Sequence, residues 1–367
     1  MRSPLCDAFG IDHPIFAFTP SEHVAAAVSR AGGLGVLGCV RFNDTDELEQ
    51  TLSWLDDNTD GKPYGVDVVM PMKVPTEGTS VDLQAMIPPE HLTFVERTLQ
   101  QLGVPPLPEG EGRAGVLGWL HSVARSHVDV ALAHRPVLIA NALGSPPVDV
   151  IEKAHEHGVK VAALAGAAKH ALSHVANGVD VIVAQGYEAG GHTGEIASMV
   201  LTPEIVDAVG PDVPVLGAGG IGSGRQIAAS MALGAQGVWT GSIWLGTEEY
   251  QNLQSNAGWT EAFTRATSSD TVRTRIYTGK PARLLKTKWT EAWAADDAPE
   301  PLPMPLQNLL VAEAHNRINA SGDPDVISMP IGQIVGRMNE VRPVADVMAD
   351  LMSGFDDAVA RLDKLRS

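Results

Sequence analysis

The residues most able to do chemistry lie in one run, Gln185-Gly186-Tyr187-Glu188-Ala189-Gly190-Gly191-His192-Thr193-Gly194. A histidine exchanges protons near neutral pH. Glycines let the backbone approach a ligand closely and take φ > 0 at little cost. Directly before the run stands a short apolar stretch, Asp180 to Ala184, that reads as a strand. A strand ending in glycines and one titratable group is the layout of a cofactor or substrate site. His192 is then the candidate acid–base group; the competing reading is a lone structural histidine. The pair His155 and His157 is spaced i, i+2 on a helix pattern, which puts the rings on different faces, so no metal site is expected. His121 and His127 are expected on the surface.

The elements around this run alternate. Strands are expected at 13–18, 34–38, 64–70, 136–141, 160–166, 180–186, 214–220 and 237–245, each followed by a helical pattern. Ser21 and the acidic group at Asp44 to Glu47 are helix-start signals. Continuous apolar strands imply a parallel sheet covered on both faces. Eight such units predict an α/β fold of the closed (β/α)8 TIM-barrel type, with an open doubly wound sheet as the alternative. The pattern breaks at 71–113, where Pro71, Pro75, Pro88, Pro89, Pro105, Pro106 and Pro108 mark a Pro-rich insertion after strand 3 with one helix at 89–102. Helix resumes over 113–133. The expected division is a barrel over 1–246 including that insertion, a smaller, mainly α-helical subdomain over 247–300, and a C-terminal linker and helix over 301–367. The subdomain holds Trp259, Trp289 and Trp293 and a basic run from Arg273 to Lys288. Pro299 to Pro305 reads as a rigid linker.

With that frame, the glycine motifs separate. Gly33, Gly35 and Gly38 match G-x-G-x-x-G but run from a helix end into a strand, which suits close packing better than a nucleotide site. Gly217, Gly219 and Gly222 match in the order strand, turn, helix. No Asp or Glu follows between Ile221 and Thr247 to read a ribose. A phosphate needs only N–H groups and a helix N-terminus. In barrels that site is built by the loops after strands seven and eight, here Gly219-Gly220 and Gly241-Ser242. Two tight turns are the alternative.

The composition narrows the class. The chain has 367 residues, 44% of them hydrophobic and 5% aromatic, with net charge −18. Such a charge argues against nucleic acid. No apolar run reaches the roughly 20 residues of a membrane span. Cys6 and Cys39 make no disulfide framework, and the first residues lack the apolar core of a signal peptide. A cytoplasmic protein is expected, a monomer or homodimer acting on a small molecule.

The motifs resemble those of the nitronate monooxygenases, formerly called 2-nitropropane dioxygenases. The resemblance rests on Ala184 to Gly194 (AQGYEAGGHTG), Pro214 to Ile221 (PVLGAGGI), Ala31 to Gly38 (AGGLGVLG), Tyr64 to Asp67 (YGVD), Gly279 to Arg283 (GKPAR) and Gly332-Gln333. It covers nearly the whole chain. It implies a TIM barrel holding FMN, with His192 as catalytic base or polarising group and O2 as second substrate. It further implies that Gln185 reaches the flavin ring edge, with Gly190 and Gly191 beside it. Ala17, Phe18 and Thr19 line the ring through main-chain atoms, and Asp67 approaches from strand three. Gly219, Gly220, Gly241 and Ser242 take the phosphate. Glu188 is expected to anchor the loop, and Asn141, Gly166, Lys169 and Gln333 are further pocket candidates. Closely similar motifs occur in FMN reductases that use NAD(P)H on enoyl-thioesters or quinones, and a non-catalytic flavin-binding barrel is a third reading. The chain departs from the family pattern at Thr19 (usually Met), Asp67 (usually Asn) and Thr287 (often Asn), all near the expected pocket.

Overall fold

The structure is a computed structural model that describes residues 1–70, 83–108, 121–252 and 258–365. Eight parallel strands close into a barrel in the order β1 (Ile15–Thr19), β2 (Leu34–Gly38), β3 (Tyr64–Val68), β4 (Leu138–Asn141), β5 (Lys160–Ala165), β6 (Val181–Gln185), β8 (Val215–Ala218) and β9 (Gly237–Thr240). Helices separate successive strands, so the fold is a (β/α)8 TIM barrel. Side chains alternate across each strand. Phe16, Val36, Ala140, Val183, Leu216 and Trp239 fill the barrel interior. Leu37, Val66, Val68, Ile139, Val161 and Ile182 face the helices. The Gly33–Gly38 segment serves packing: a Cβ at Gly35 would fall 2.0 Å from the Ala25 carbonyl oxygen, so the helix Glu22–Arg30 sits directly on β2.

One further strand, β7 (Gly191–His192), leaves the barrel and pairs with β11 (Ala282–Leu285), which pairs in turn with β10 (Thr271–Thr274). The segment read as helical therefore carries a β-hairpin beside its short helices Trp259–Thr264 and Lys288–Ala292. A second unexpected element is the helix Leu306–Ser321. Its buried positions, Gln307, Leu310, Val311, Ala314, Arg317 and Ile318, keep helical spacing, but two of them are polar, which hides the apolar stripe in the sequence. Both polar groups are satisfied. Gln307 donates to the Ile276 carbonyl at 2.9 Å and accepts from the Leu302 N–H at 2.9 Å. Arg317 donates to the carbonyls of Val104 and Pro105 and to Glu96. It thus clamps the insertion helix Pro89–Gln101 and the turn after it onto the helix Leu306–Ser321, and Phe94 of the insertion meets Trp293 edge-on at 4.8 Å. The rest of the insertion, 71–82 and 109–113, and the start of the helix expected at 113–133 lie outside the described residues.

His127 corrects one expectation. It is fully buried where the helix His121–His134 packs on Thr45–Asn58, and burial lowers its basicity. The side chain of His121 lies outside the described residues. Among the described residues, no helix is long and apolar enough to cross a membrane, and no group of three His, Cys, Asp or Glu is placed to hold a metal.

Candidate active site

The C-terminal ends of the barrel strands meet in one mouth, and close contacts tie the candidate residues together there. Gln185 pairs with Ala218 across β6 and β8, and the next N–H, of Gly186, donates to the Ala218 carbonyl at 2.9 Å. Gly219 and Gly220 follow at φ of +97° and +69°, conformations open to glycine. A Cβ on Gly219 would fall 3.0 Å from the Gly186 carbonyl oxygen, so the two glycine loops touch. The amide of Gln226 braces the second loop, accepting from the Gly222 N–H and the Ser223 hydroxyl and donating to the Gly220 carbonyl. On the far side, the Ser242 hydroxyl accepts the Gly332 N–H at 2.8 Å. Gly332 in turn packs so tightly on Gly190 that a Cβ there would fall 2.7 Å from its nitrogen. Gly241 borders the Phe18 ring, and Phe18 stacks on Trp239 with ring centres 6.4 Å apart. Gly191, at φ +73°, joins this loop to His192.

Not every candidate presents its side chain. Ala17 is fully buried in the layer facing the helices. Thr19 is turned the same way, its hydroxyl accepting the Ser21 N–H at 3.1 Å. Both offer the mouth only main-chain atoms. Asn141 is spent on the backbone, accepting from Met70 N–H and donating to the Met70 and Gly144 carbonyls. Glu188 anchors its loop by accepting the N–H and hydroxyl of Ser198 at the start of the helix Ser198–Val209. Asp67 is 2% exposed and inward-facing, and its Oδ2 has no hydrogen-bond partner.

His192 is held from outside the barrel. Its backbone pairs with Ala282 of β11, and its Nε2 exchanges a hydrogen bond with the Thr278 hydroxyl at 2.7 Å. The other ring nitrogen has no partner among the described residues. The residue keeps some accessible surface, yet its surroundings are close enough to matter. Burial, helped by the nearby charge of Lys280, lowers the imidazole pKa to about 4. The ring is therefore neutral at pH 7.

Thr278, Lys280 and Arg283 are site residues that spacing along the chain did not reveal; the Gly279–Arg283 motif was the only signal. Arg283 is 2% exposed. Its guanidinium donates twice to the Tyr187 carbonyl, at 3.1 and 3.0 Å, and once to Thr271 at 3.0 Å, and lies 4.4 Å from the Tyr187 ring centre. It locks the glycine loop against the hairpin. Arg283→Lys keeps the charge but cannot span both bonds. We expect it to cost about 2–3 kcal/mol of stability, read as a lower melting temperature; unchanged melting would show that the clamp is idle.

Behind the Gly219-Gly220 turn lies a cavity of about 340 Å³, lined by Glu188, Ser198, Met199, Gln226 and Arg337 among others. His192, Phe18 and Asp67 are not among its lining residues.

The sequence model of the family described as nitronate monooxygenase matches residues 2–354. A Mycobacterium tuberculosis protein named as a candidate monooxygenase, Rv1533, is 49% identical, the match covering 100% of this chain and 99% of that one. Among solved structures, nitroalkane oxidase from Streptomyces ansochromogenes superposes with a TM-score of 0.80 at 25% identity, covering 98% of this chain and 99% of the other. FabK from Thermotoga maritima superposes with a TM-score of 0.76 at 26% identity, covering 100% and 99%.

Proposed function

Because the chain belongs to the nitronate monooxygenase family, an oxidoreductase family, we propose that it binds FMN at the barrel mouth and oxidises nitronates or their parent nitroalkanes with O2 to a carbonyl compound and nitrite. The observation that carries the reading is contact between the loop bearing His192 and the Gly219-Gly220 turn. One short stretch of backbone thereby connects a proton-exchanging group to a phosphate cradle.

The residues present fit FMN. Successive positive φ values at Gly219 and Gly220 leave a concave turn free of Cβ atoms, suited to an anion. The Ser242 hydroxyl still has a proton to donate after accepting from Gly332. The unpartnered Asp67 Oδ2 leaves a polar demand inside the mouth that a polar ring could meet. Bound FMN supplies the electron acceptor that the side chains lack. The chain's own part is binding and proton handling. Where the substrate arrives as the neutral nitroalkane, His192, neutral and oriented by Thr278, can take its α-proton through the other ring nitrogen and so give the nitronate. Lys280 adds positive charge beside it, which favours an anionic nitronate.

Anaerobic mixing tests the proposal. We expect the flavin of the holoprotein to bleach rapidly with a nitronate and only slowly with NADPH. Rapid bleaching by NADPH, with none by nitronate, would replace this reading with an NAD(P)H-dependent reductase of enoyl or quinone substrates.

A further inference from the structure

Asp67 is the one acidic side chain turned into the barrel interior at its mouth among the described residues. It sits near the end of β3, paired in register with Gly38 of β2 and Ala140 of β4. Its neighbours Val66 and Val68 face the helices, so strand alternation turns Asp67 to the side occupied by Phe16, Val36 and Ala140. A Cβ on Gly38 would touch the Phe18 ring at 3.0 Å, which places the Asp67 rung next to the aromatic wall of the mouth.

Among the described residues, no cation answers this carboxyl. Among them it forms no ion pair, and its Oδ2 is buried without a hydrogen bond. The titratable neighbour is Cys39, in the turn after β2, itself fully buried and shifted upward by burial and by Asp67. A thiol offers little to a carboxylate. An ionised, unpaired carboxylate in such a place is strongly disfavoured, and the group takes up a proton instead. Burial accordingly pushes its pKa well above the ordinary range. A protonated carboxyl carries one donor, and a buried donor needs an acceptor. The described protein supplies none, whereas the ring of a bound flavin presents nitrogen and carbonyl acceptors along its edge.

We propose that Asp67 is a neutral acid that donates its proton in a hydrogen bond to the ring of the bound flavin. The proposal rests on the FMN reading above. It gives the mouth a donor without negative charge, where an anion would oppose electron density arriving on the ring.

Infrared difference spectroscopy with carboxyl-labelled aspartate tests it, alongside FMN titration. At pH 7 the wild-type chain should show a protonated-acid carbonyl band that vanishes in Asp67→Asn and shifts when FMN is added. Asp67→Asn, which keeps a donor of similar shape, should bind FMN within a few-fold of wild type. Asp67→Leu should weaken it about tenfold, the worth of one hydrogen bond. FMN binding with no such band, with a band FMN does not move, or with tighter binding in Asp67→Leu overturns the proposal and leaves the flavin reading standing. Failure of the wild type to take FMN overturns both.

Discussion

His192→Ala should cut turnover of a neutral nitroalkane by about 10²–10⁴-fold, the usual worth of a positioned acid–base group, while the protein stays yellow. The imidazole is not part of the glycine cradle. Its own ties run to Thr278 and β11, so its loss should spare flavin content. Nitrite release and flavin absorbance on the same sample separate the two effects. The pH profile adds a sign. A base works in its neutral form, and burial with the Lys280 charge lowers this pKa from 6.5 to about 4. The wild-type kcat/KM should therefore stay level through pH 6.5 and fall only as pH drops toward 4. The same depression means the folded state resists a proton that the unfolded chain accepts. This contribution to stability is present above pH 6.5 and is lost as pH falls through the window down to about 4; His315, also lowered to about 4 by burial, acts in the same direction. An acid limb at 6.5, or full turnover in His192→Ala, would remove His192 from the chemistry.

The second large effect is expected at Gly219. Valine there must adopt φ +97° and place its Cβ 3.0 Å from the Gly186 carbonyl oxygen and 3.2 Å from the Gly186 nitrogen. Both are backbone atoms of the neighbouring loop and cannot rotate aside. Strain of about 1–3 kcal/mol at the residue adds to displacement of the turn that would hold phosphate. We expect FMN affinity to fall more than tenfold, measured by titration of the apoprotein. Gly210→Ala is the control. It also stands at positive φ, +78°, but nothing lies within 4 Å of its added Cβ. It should lose about 1–3 kcal/mol of stability to backbone strain and no flavin. Equal flavin binding by Gly219→Val and wild type would mean that the phosphate lies elsewhere.

Much of this architecture is readable in the chain because its signals are local. The β2 span appears as read, and Ser21 and Asp44 cap the helices they were expected to open, accepting N–H groups of the first turn. Glu188 could be assigned an anchoring role because the helix it caps follows closely in sequence. The hairpin Thr271–Leu285 was missed for the opposite reason. Its strands are short, carry Arg273 and Arg283, and acquire their pairing partly from β7, about ninety residues earlier in the chain. Leu306–Ser321 was missed because Gln307 and Arg317 occupy core positions that only distant carbonyls make tolerable.

From composition, period and glycine placement alone came a barrel of eight strands, the loops that end them and the histidine among the glycines. These depend on side-chain alternation and on backbone conformations that a few consecutive residues dictate. Only the folded chain decided what surrounds that histidine. Thr278 and Lys280 come beside it from the turn before β11, whose Ala282 and Arg283 pair with His192 and Gly191, and the Asp67 Oδ2 is left without a partner among the described residues where three strands close around it. Desolvation and partner choice are properties of neighbours in space, and a linear sequence does not list its neighbours.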